Sequence, residues 1–260
     1  MRRLAVLLIF VTLAASNAVA QDAADSMRND IPTLAVVEVG AYSPVAGVDE
    51  ALGQYRQYLD VPIESRSRVD VAFYLHDGKG RRIGFGGGSN LRLRAVRQDG
   101  SVMDLSGDAN GRVAIPDDLL GSGQRFGIEV NSAKDKFVLK ARPGIRFGAG
   151  NEMALDALNL AADQFFDIYK QVYASGMFKR FIKDRKANCT GYVFVDPSVV
   201  KVYSPSEGRV VWESGKSSLV VMFESDVLGA PVDSVVQLSS SPSRVSACLM
   251  DKEKWLKKQG

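Results

Sequence analysis

The sequence predicts a mainly β protein with a helical connector, in which two β-sandwich modules stand in tandem. Three observations lead there. Short alternating apolar segments, broken by turn residues about every ten positions, fill residues 61–147 and 188–250, the rhythm of a sandwich or barrel. Between them, Asn151–Val172 carries its apolar residues at helical spacing. The chain also matches itself at a shift of 108 residues, which lays Asp99-Gly-Ser-Val102 on Glu207-Gly-Arg-Val210 and Leu119-Leu-Gly121 on Val227-Leu-Gly229. Over Leu91–Lys140 that shift gives 9 identities in 50, and turn residues fall on turn residues and apolar on apolar. A period this long points to two copies of a domain, because solenoid repeats run to roughly 20–50 residues.

Taken in order, residues 1–20 form a secretory signal: Arg2 and Arg3, the apolar run Leu4–Ala14, then the small residues Ala18-Val-Ala20, with cleavage between Ala20 and Gln21. Residues 21–60 form an N-terminal segment with a short strand at Leu34–Val39 and a helix over Asp49–Asp60. Asp49 is the expected cap, and Leu52, Tyr55 and Leu59 the expected inner face. The first module, 61–147, opens on Val69, Val71 and Phe73 alternating with Asp70, Ala72 and Tyr74 up to the Asp77-Gly78 turn. Leu91, Leu93 and Ala95 then face one way and Arg92 and Arg94 the other, followed by Asp99-Gly100 and Asp108-Ala-Asn-Gly111 turns and strands at Arg112–Ile115, Phe126–Val130 and Lys136–Leu139. In the helical connector, 148–187, Asn151 is the expected N-cap and Leu155, Leu158, Ala162, Phe165, Ile168 and Val172 make the apolar stripe. The second module, 188–250, holds strands at Gly191–Val195, Val199–Tyr203, Arg209–Trp212, Leu219–Phe223, Val235–Leu238 and Arg244–Cys248. A basic tail, 251–260, closes the chain.

Composition narrows the function classes. With the signal removed, 31 basic residues face 30 acidic ones, so no electrostatic case for nucleic acid arises. No transmembrane segment is expected in the mature chain, and the expected location is periplasmic or secreted. The only cysteines, Cys189 and Cys248, form an even pair behind an export signal, and a disulfide between them would tie the start of the second module to its last strand.

A strand, an Asp-Gly turn, a second strand and then Asp108-Ala-Asn-Gly-Arg-Val-Ala-Ile-Pro116 resemble the transthyretin-like (prealbumin-like, carboxypeptidase-regulatory) sandwich modules. Together with the export signal and Glu129-Val-Asn131 before a basic strand, they resemble a group of uncharacterised proteobacterial periplasmic proteins. The likeness covers about 50 residues and is mostly turn chemistry. The resemblance implies a β-sandwich fold and carries no activity with it.

No residue pattern supplies a catalytic, cofactor or metal site. The single histidine, His76, has no Gly-x-Ser-x-Gly elbow to serve. Glu213-Ser-Gly-Lys-Ser217 lacks the upstream glycine of a phosphate loop and is expected to be a hairpin. Gly84–Gly88, flanked by Arg81, Arg82 and Arg92, could cradle an anion, although a plain loop is the simpler reading. Ser106, Asp108, Asn110, Gly111, Val113 and Asp117 fall at calcium-loop positions with weakened ligands, so a hairpin on Asn110-Gly111 is expected instead. Asp117-Asp118 reads as a polar turn, and the amphipathic Phe178–Lys186 as packing on a module. The expectation is therefore a non-catalytic envelope protein that binds a protein partner or small ligand through loops and strand edges. The alternative is a hydrolase whose acidic site assembles between the modules, for which two facing carboxylates would be the mark.

Overall fold

The computed structural model describes residues 42–86, 90–121, 123, 125–132, 136–148, 150–174 and 191–247. The signal segment, the strand expected at Leu34–Val39, the basic piece Phe178–Lys186, both cysteines and the tail lie outside the described residues. The first half runs β1 (Ser43–Pro44), α1 (Val48–Leu59), α2 (Ile63–Arg66), β2 (Val69–Asp77), β3 (Leu93–Arg97), β4 (Val102–Gly107), β5 (Arg112–Ala114), α3 (Asp117–Gly121), β6 (Phe126–Val130) and β7 (Phe137–Ile145). The second runs β8 (Glu152–Ala154), α4 (Leu155–Ile168) with a π-helical end at Tyr169–Tyr173, β9 (Gly191–Ser198), β10 (Val200–Ser204), β11 (Arg209–Glu213), β12 (Ser217–Phe223), a 3₁₀ turn at Glu224–Asp226, β13 (Val235–Leu238) and β14 (Arg244–Ala247). The protein is mainly β, and its strands pair antiparallel.

The sheets of the two halves share one strand order. The first half forms a seven-stranded sheet, β1-β6-β3-β4-β5-β2-β7; the second forms β11-β10-β13-β8 and β12-β9-β14. Matching strands by rank, β4-β3-β6-β1 corresponds to β11-β10-β13-β8, and β5-β2-β7 to β12-β9-β14. The register agrees too. Leu93 pairs with Val130 and Ala95 with Ile128, while Val200 pairs with Leu238 and Val202 with Val236, and all eight side chains are buried. A one-residue slip would turn such a set to the solvent, so agreement in which face is buried constrains the match strongly. The helices follow suit: Val48, Ala51 and Tyr58 of α1 are buried, as are Leu155, Leu158 and Phe165 of α4, 107 residues further on.

The first half closes its sheet. Just past β1, the Ala46 N–H donates to the Phe137 carbonyl at 2.9 Å, and the Leu139 N–H donates to the Ala46 carbonyl at 2.9 Å, so the two edges β1 and β7 meet. Gly47 then starts α1 in the left-handed region (φ 74°), where a Cβ would sit 2.9 Å from the Leu139 carbonyl oxygen. This glycine, not Asp49, occupies the N-cap, and Asp49 and Glu50 instead stand in the first turn, where the helix dipole favours them. The inner face also differs from expectation. Tyr58 is buried and donates to the Val69 carbonyl at 2.8 Å, whereas Leu59 is 44% exposed. A buried hydroxyl with a strand carbonyl in reach outweighs a leucine one position round the helix.

Residues 148–187, expected as a helical connector, contribute more than a link. Glu152–Ala154 is strand, paired with β13, so Asn151 is not the helix N-cap: it lies before that strand at φ 61°, and Ala154 takes the cap position. α4 then packs on β7, β2 and β14. Its Gln164 accepts the Arg68 N–H at 2.9 Å and donates to the Glu64 carbonyl at 2.8 Å, tying the helix to the first half. One hydrophobic core runs from Val45 to Ala247 through both halves. Among the described residues no helix is long and apolar enough to cross a membrane.

Candidate functional site

Where the halves meet, the sequence places an unusual set of side chains on the outer face of β2, β5 and β7. A strand in a half-solvated sheet alternates buried and exposed positions, yet Ala72 and Tyr74 of β2 are as buried as Val71 and Phe73 on the inner face. The segment leading into β14 covers them: the Tyr74 hydroxyl donates to the Ser243 carbonyl at 3.3 Å, and the Arg82 guanidinium lies over the Tyr74 ring at 4.4 Å. The cover is incomplete. Beside it opens a cleft of about 400 Å³, walled by Asp70, Arg112, Arg142 and Arg146 from the first half and by Arg244 and the Ser241–Ser243 turn from the second.

Four guanidinium groups thus face one carboxylate. Arg112 stands 3.9 Å from Asp70, a long and partly solvated pairing. No described carboxylate lies within ion-pair distance of Arg142, Arg146 or Arg244. The Arg244 Nε is buried without a partner. Burial holds the Arg244 guanidinium below its ordinary pKa, and the charge of Arg82 adds to that effect. Burial pushes the Asp70 carboxyl above its ordinary range, against the pull of Arg112 and then Arg146. Such an arrangement can hold an anion; among the described residues it offers no second acid to share a proton with Asp70.

The residues weighed from sequence lie elsewhere and have local employment. His76, half-buried near the end of β2, donates Nδ1–H to the Gly80 carbonyl at 2.9 Å, and burial lowers its pKa. Asp77 caps its own turn, accepting the N–H groups of Lys79 and Arg81 and the Arg81 side chain. Asp108 accepts the Asn110 and Arg112 N–H groups, each at 2.9 Å, with Gly111 at φ 77° and β4 paired to β5 on either side: a hairpin. Among the described residues no three His, Cys, Asp or Glu side chains are grouped to hold a metal ion. Asp117-Asp118 opens the short helix α3, not a turn, and Asp118 pairs with Arg97 at 3.0 Å. The Gly-Lys-Ser segment is not a hairpin: β11 and β12 lie in different sheets, so it carries the chain from one sheet to the other. Of the glycine stretch, Gly84–Gly86 are described, and Phe85 donates its N–H to the Asp108 carbonyl, folding the segment onto the β4–β5 turn.

Sequence reasoning missed the cleft because its charges come from four separate strands or strand ends, each unremarkable alone. One local signal was present: Asp70 and Arg142 sit at outward positions of strands otherwise rich in apolar residues, and the two face each other's neighbours across the β2–β7 ladder. No protein-family model matches the chain, and no curated protein matches it.

Proposed function

We propose that this is an exported, non-catalytic envelope protein made of two copies of one β-sandwich unit, which holds a small ligand in the cleft between them. The observation that carries this reading is the cleft, of a size ordinary for small-ligand sites and walled by both halves. The shared strand order and register support the duplication, and extend the repeating unit beyond the two β modules to include the strand and helix that precede each. The Asp108–Pro116 turn chemistry supports a transthyretin-like unit, and the Arg2–Ala20 pattern supports export to a periplasmic or secreted location. A small ligand is favoured over a protein partner because the polar groups converge in a concave site and not along a free strand edge. A hydrolytic site would need a second carboxylate opposite Asp70, where arginines stand.

Native mass spectrometry of the protein isolated from its own export compartment tests the reading. A small-molecule adduct is expected on the wild type and not on Ser241→Trp, which places an indole at the cleft's exposed rim. Absence of any adduct, or an adduct that survives Ser241→Trp, overturns it.

A further inference from the structure

Resting on the reading of the cleft as a ligand site, we infer that its ligand is a small oxyanion carrying two or more negative charges, gripped by Arg142, Arg146 and Arg244. The argument begins with the imbalance. Asp70 can offset one guanidinium, and Arg112 is the one beside it; three remain uncompensated around a single concavity. Arginines that merely solubilise a surface spread apart and point outward. Here Arg244 is drawn inward, its Nε out of contact with solvent and without an acceptor, and Arg82 and Arg142 add their fields to it. An unpaired buried donor is costly, and like charges in a partly desolvated cleft add to that cost. A bound oxyanion removes both.

The chemistry of the donors narrows the class. Guanidinium groups present planar pairs of N–H donors that match carboxylate and phosphate oxygens two at a time, which ammonium groups do not. Among the described residues the wall contains no lysine, and the nearby ring, Tyr74, is already occupied by Arg82 and Ser243. A volume of about 400 Å³ suits a molecule of metabolite size, and the chain's nearly balanced overall charge gives no electrostatic case for a nucleic acid. Phosphate esters and polycarboxylates share the required chemistry, and the experiment separates them.

Isothermal titration of the mature protein at low ionic strength, with pyrophosphate, citrate and acetate as probes, decides the matter. One saturable site is expected for pyrophosphate or citrate, with acetate at least about ten-fold weaker and the affinity falling as salt rises. Arg142→Gln/Arg146→Gln should weaken binding at least about ten-fold, because each lost guanidinium removes a charge-assisted pair. Should that double variant melt early, the milder Arg146→Lys, at an exposed position, should still weaken it by keeping charge but losing the fork. Asp70→Asn should tighten binding by removing the competing carboxylate, and the remote Arg56→Gln should leave it unchanged. No saturable binding by either polyanion, or binding indifferent to the Arg142, Arg146 and Asp70 substitutions, overturns the inference. An adduct sensitive to Ser241→Trp alongside absent anion binding would leave the ligand site standing and sink only its anionic character. Absence of both would sink the two together.

Discussion

Asp70, Arg112 and Arg142 stand on the outer face of β5-β2-β7; the positions that pair in the same way on β12-β9-β14 are Gly191, Leu219 and Ser246. The match follows from laying Phe73 on Phe194: each is buried at the centre of its layer, Phe73 between Val113 and Ala141, Phe194 between Val220 and Val245. Inner faces of the two halves are thus alike, and outer faces are not. The second half's outer face carries Val193 and Val221 packed on Phe223, an apolar patch, where the first half carries charge. The inner positions, held by burial, go with the common strand order; the outer positions are free of that constraint and differ in chemistry. The fastenings differ as well. The first half joins its layers through β4–β5 pairing and closes its edges at Ala46, while β11 and β12 of the second half lie in separate sheets. It is this looser half that carries the two cysteines.

The sharpest way to break the comparison is at its shared interior. Phe194 is fully buried and meets Phe147 of the first half edge-on, ring centroids 6.3 Å apart. Phe194→Ala should cost about 3–5 kcal/mol, the range for emptying an aromatic site in a close-packed core. Because one core spans both halves, the loss should be felt by the whole described unit. Urea unfolding followed by tryptophan fluorescence, whose reporters Trp212 and Trp255 both lie in the C-terminal part, should coincide with unfolding followed by far-UV circular dichroism. A fluorescence transition that precedes the dichroism would show two halves melting separately.

Next in size is the cysteine pair. β14 pairs with β9 so that Ala247 faces Tyr192, which brings together the described strand ends that adjoin Cys248 and Cys189 in sequence. A bond there would fasten the half whose layers lack a joining ladder. It encloses a loop of about 60 residues, for which the chain-entropy model gives about 4 kcal/mol, an upper figure. Cys189→Ala/Cys248→Ala should therefore lower the melting midpoint by an amount that reduction of the wild type reproduces. Two reactive thiols in denatured protein purified in air without reductant would rule the bond out.

Much of this architecture was legible in the residues. Strands such as Val69–Asp77 and Phe126–Val130 were marked by alternation and by Asp-Gly turns, signals that survive because they are local. The turn Asp108–Gly111 and the face of Leu155, Leu158 and Phe165 were legible for the same reason. What escaped was set by contacts distant in sequence. Tyr58 was chosen over Leu59 by the Val69 carbonyl; Glu152–Ala154 became strand because β13 offered an edge; the cleft exists because the Ser241–Ser243 turn reaches β2. The self-match at a single shift of 108 residues agrees with the strand pairing only at β6 and β13; β3 and β5 lie on β10 and β12 at 107, and β7 lies on β14 at 104. The second half joins β9 to β10 through Val199 alone, where the first spends Gly78–Arg92.

A smaller effect is expected where the first half closes. Ala46→Pro removes the N–H that the Phe137 carbonyl accepts and leaves that carbonyl beside a buried strand. The cost should be about 1–3 kcal/mol, the price of an unmet buried acceptor. The second half begins α4 directly after β8, so no equivalent substitution is open to it. Hydrogen exchange should show faster exchange of the Leu139 amide, whose acceptor is the Ala46 carbonyl, with protection on β9 and β14 retained. Unchanged exchange at Leu139 would mean that the closure does not hold the first half together.

The smallest expected effect belongs to Asp70, the charge for which the second half has Gly191. Burial raises its carboxyl above the ordinary value of 3.8, with Arg112 and Arg146 opposing. In the unfolded chain the group ionises near that ordinary value; in the folded protein it ionises later. Across the interval the folded state binds the proton more tightly, so the stability Asp70 contributes is fully present below 3.8 and is lost as pH rises through the higher folded value. Asp70→Asn cannot titrate and lacks this loss. Its stability relative to wild type should therefore improve as pH rises through 3.8 and level off once the folded carboxyl is ionised. Urea midpoints of both proteins over that range measure the difference, at fixed ionic strength and without polyanions, since a bound anion would change the field at Asp70. A difference that is flat across the interval, or that favours wild type increasingly as pH rises, would mean that the neighbouring guanidinium groups outweigh burial at this carboxyl.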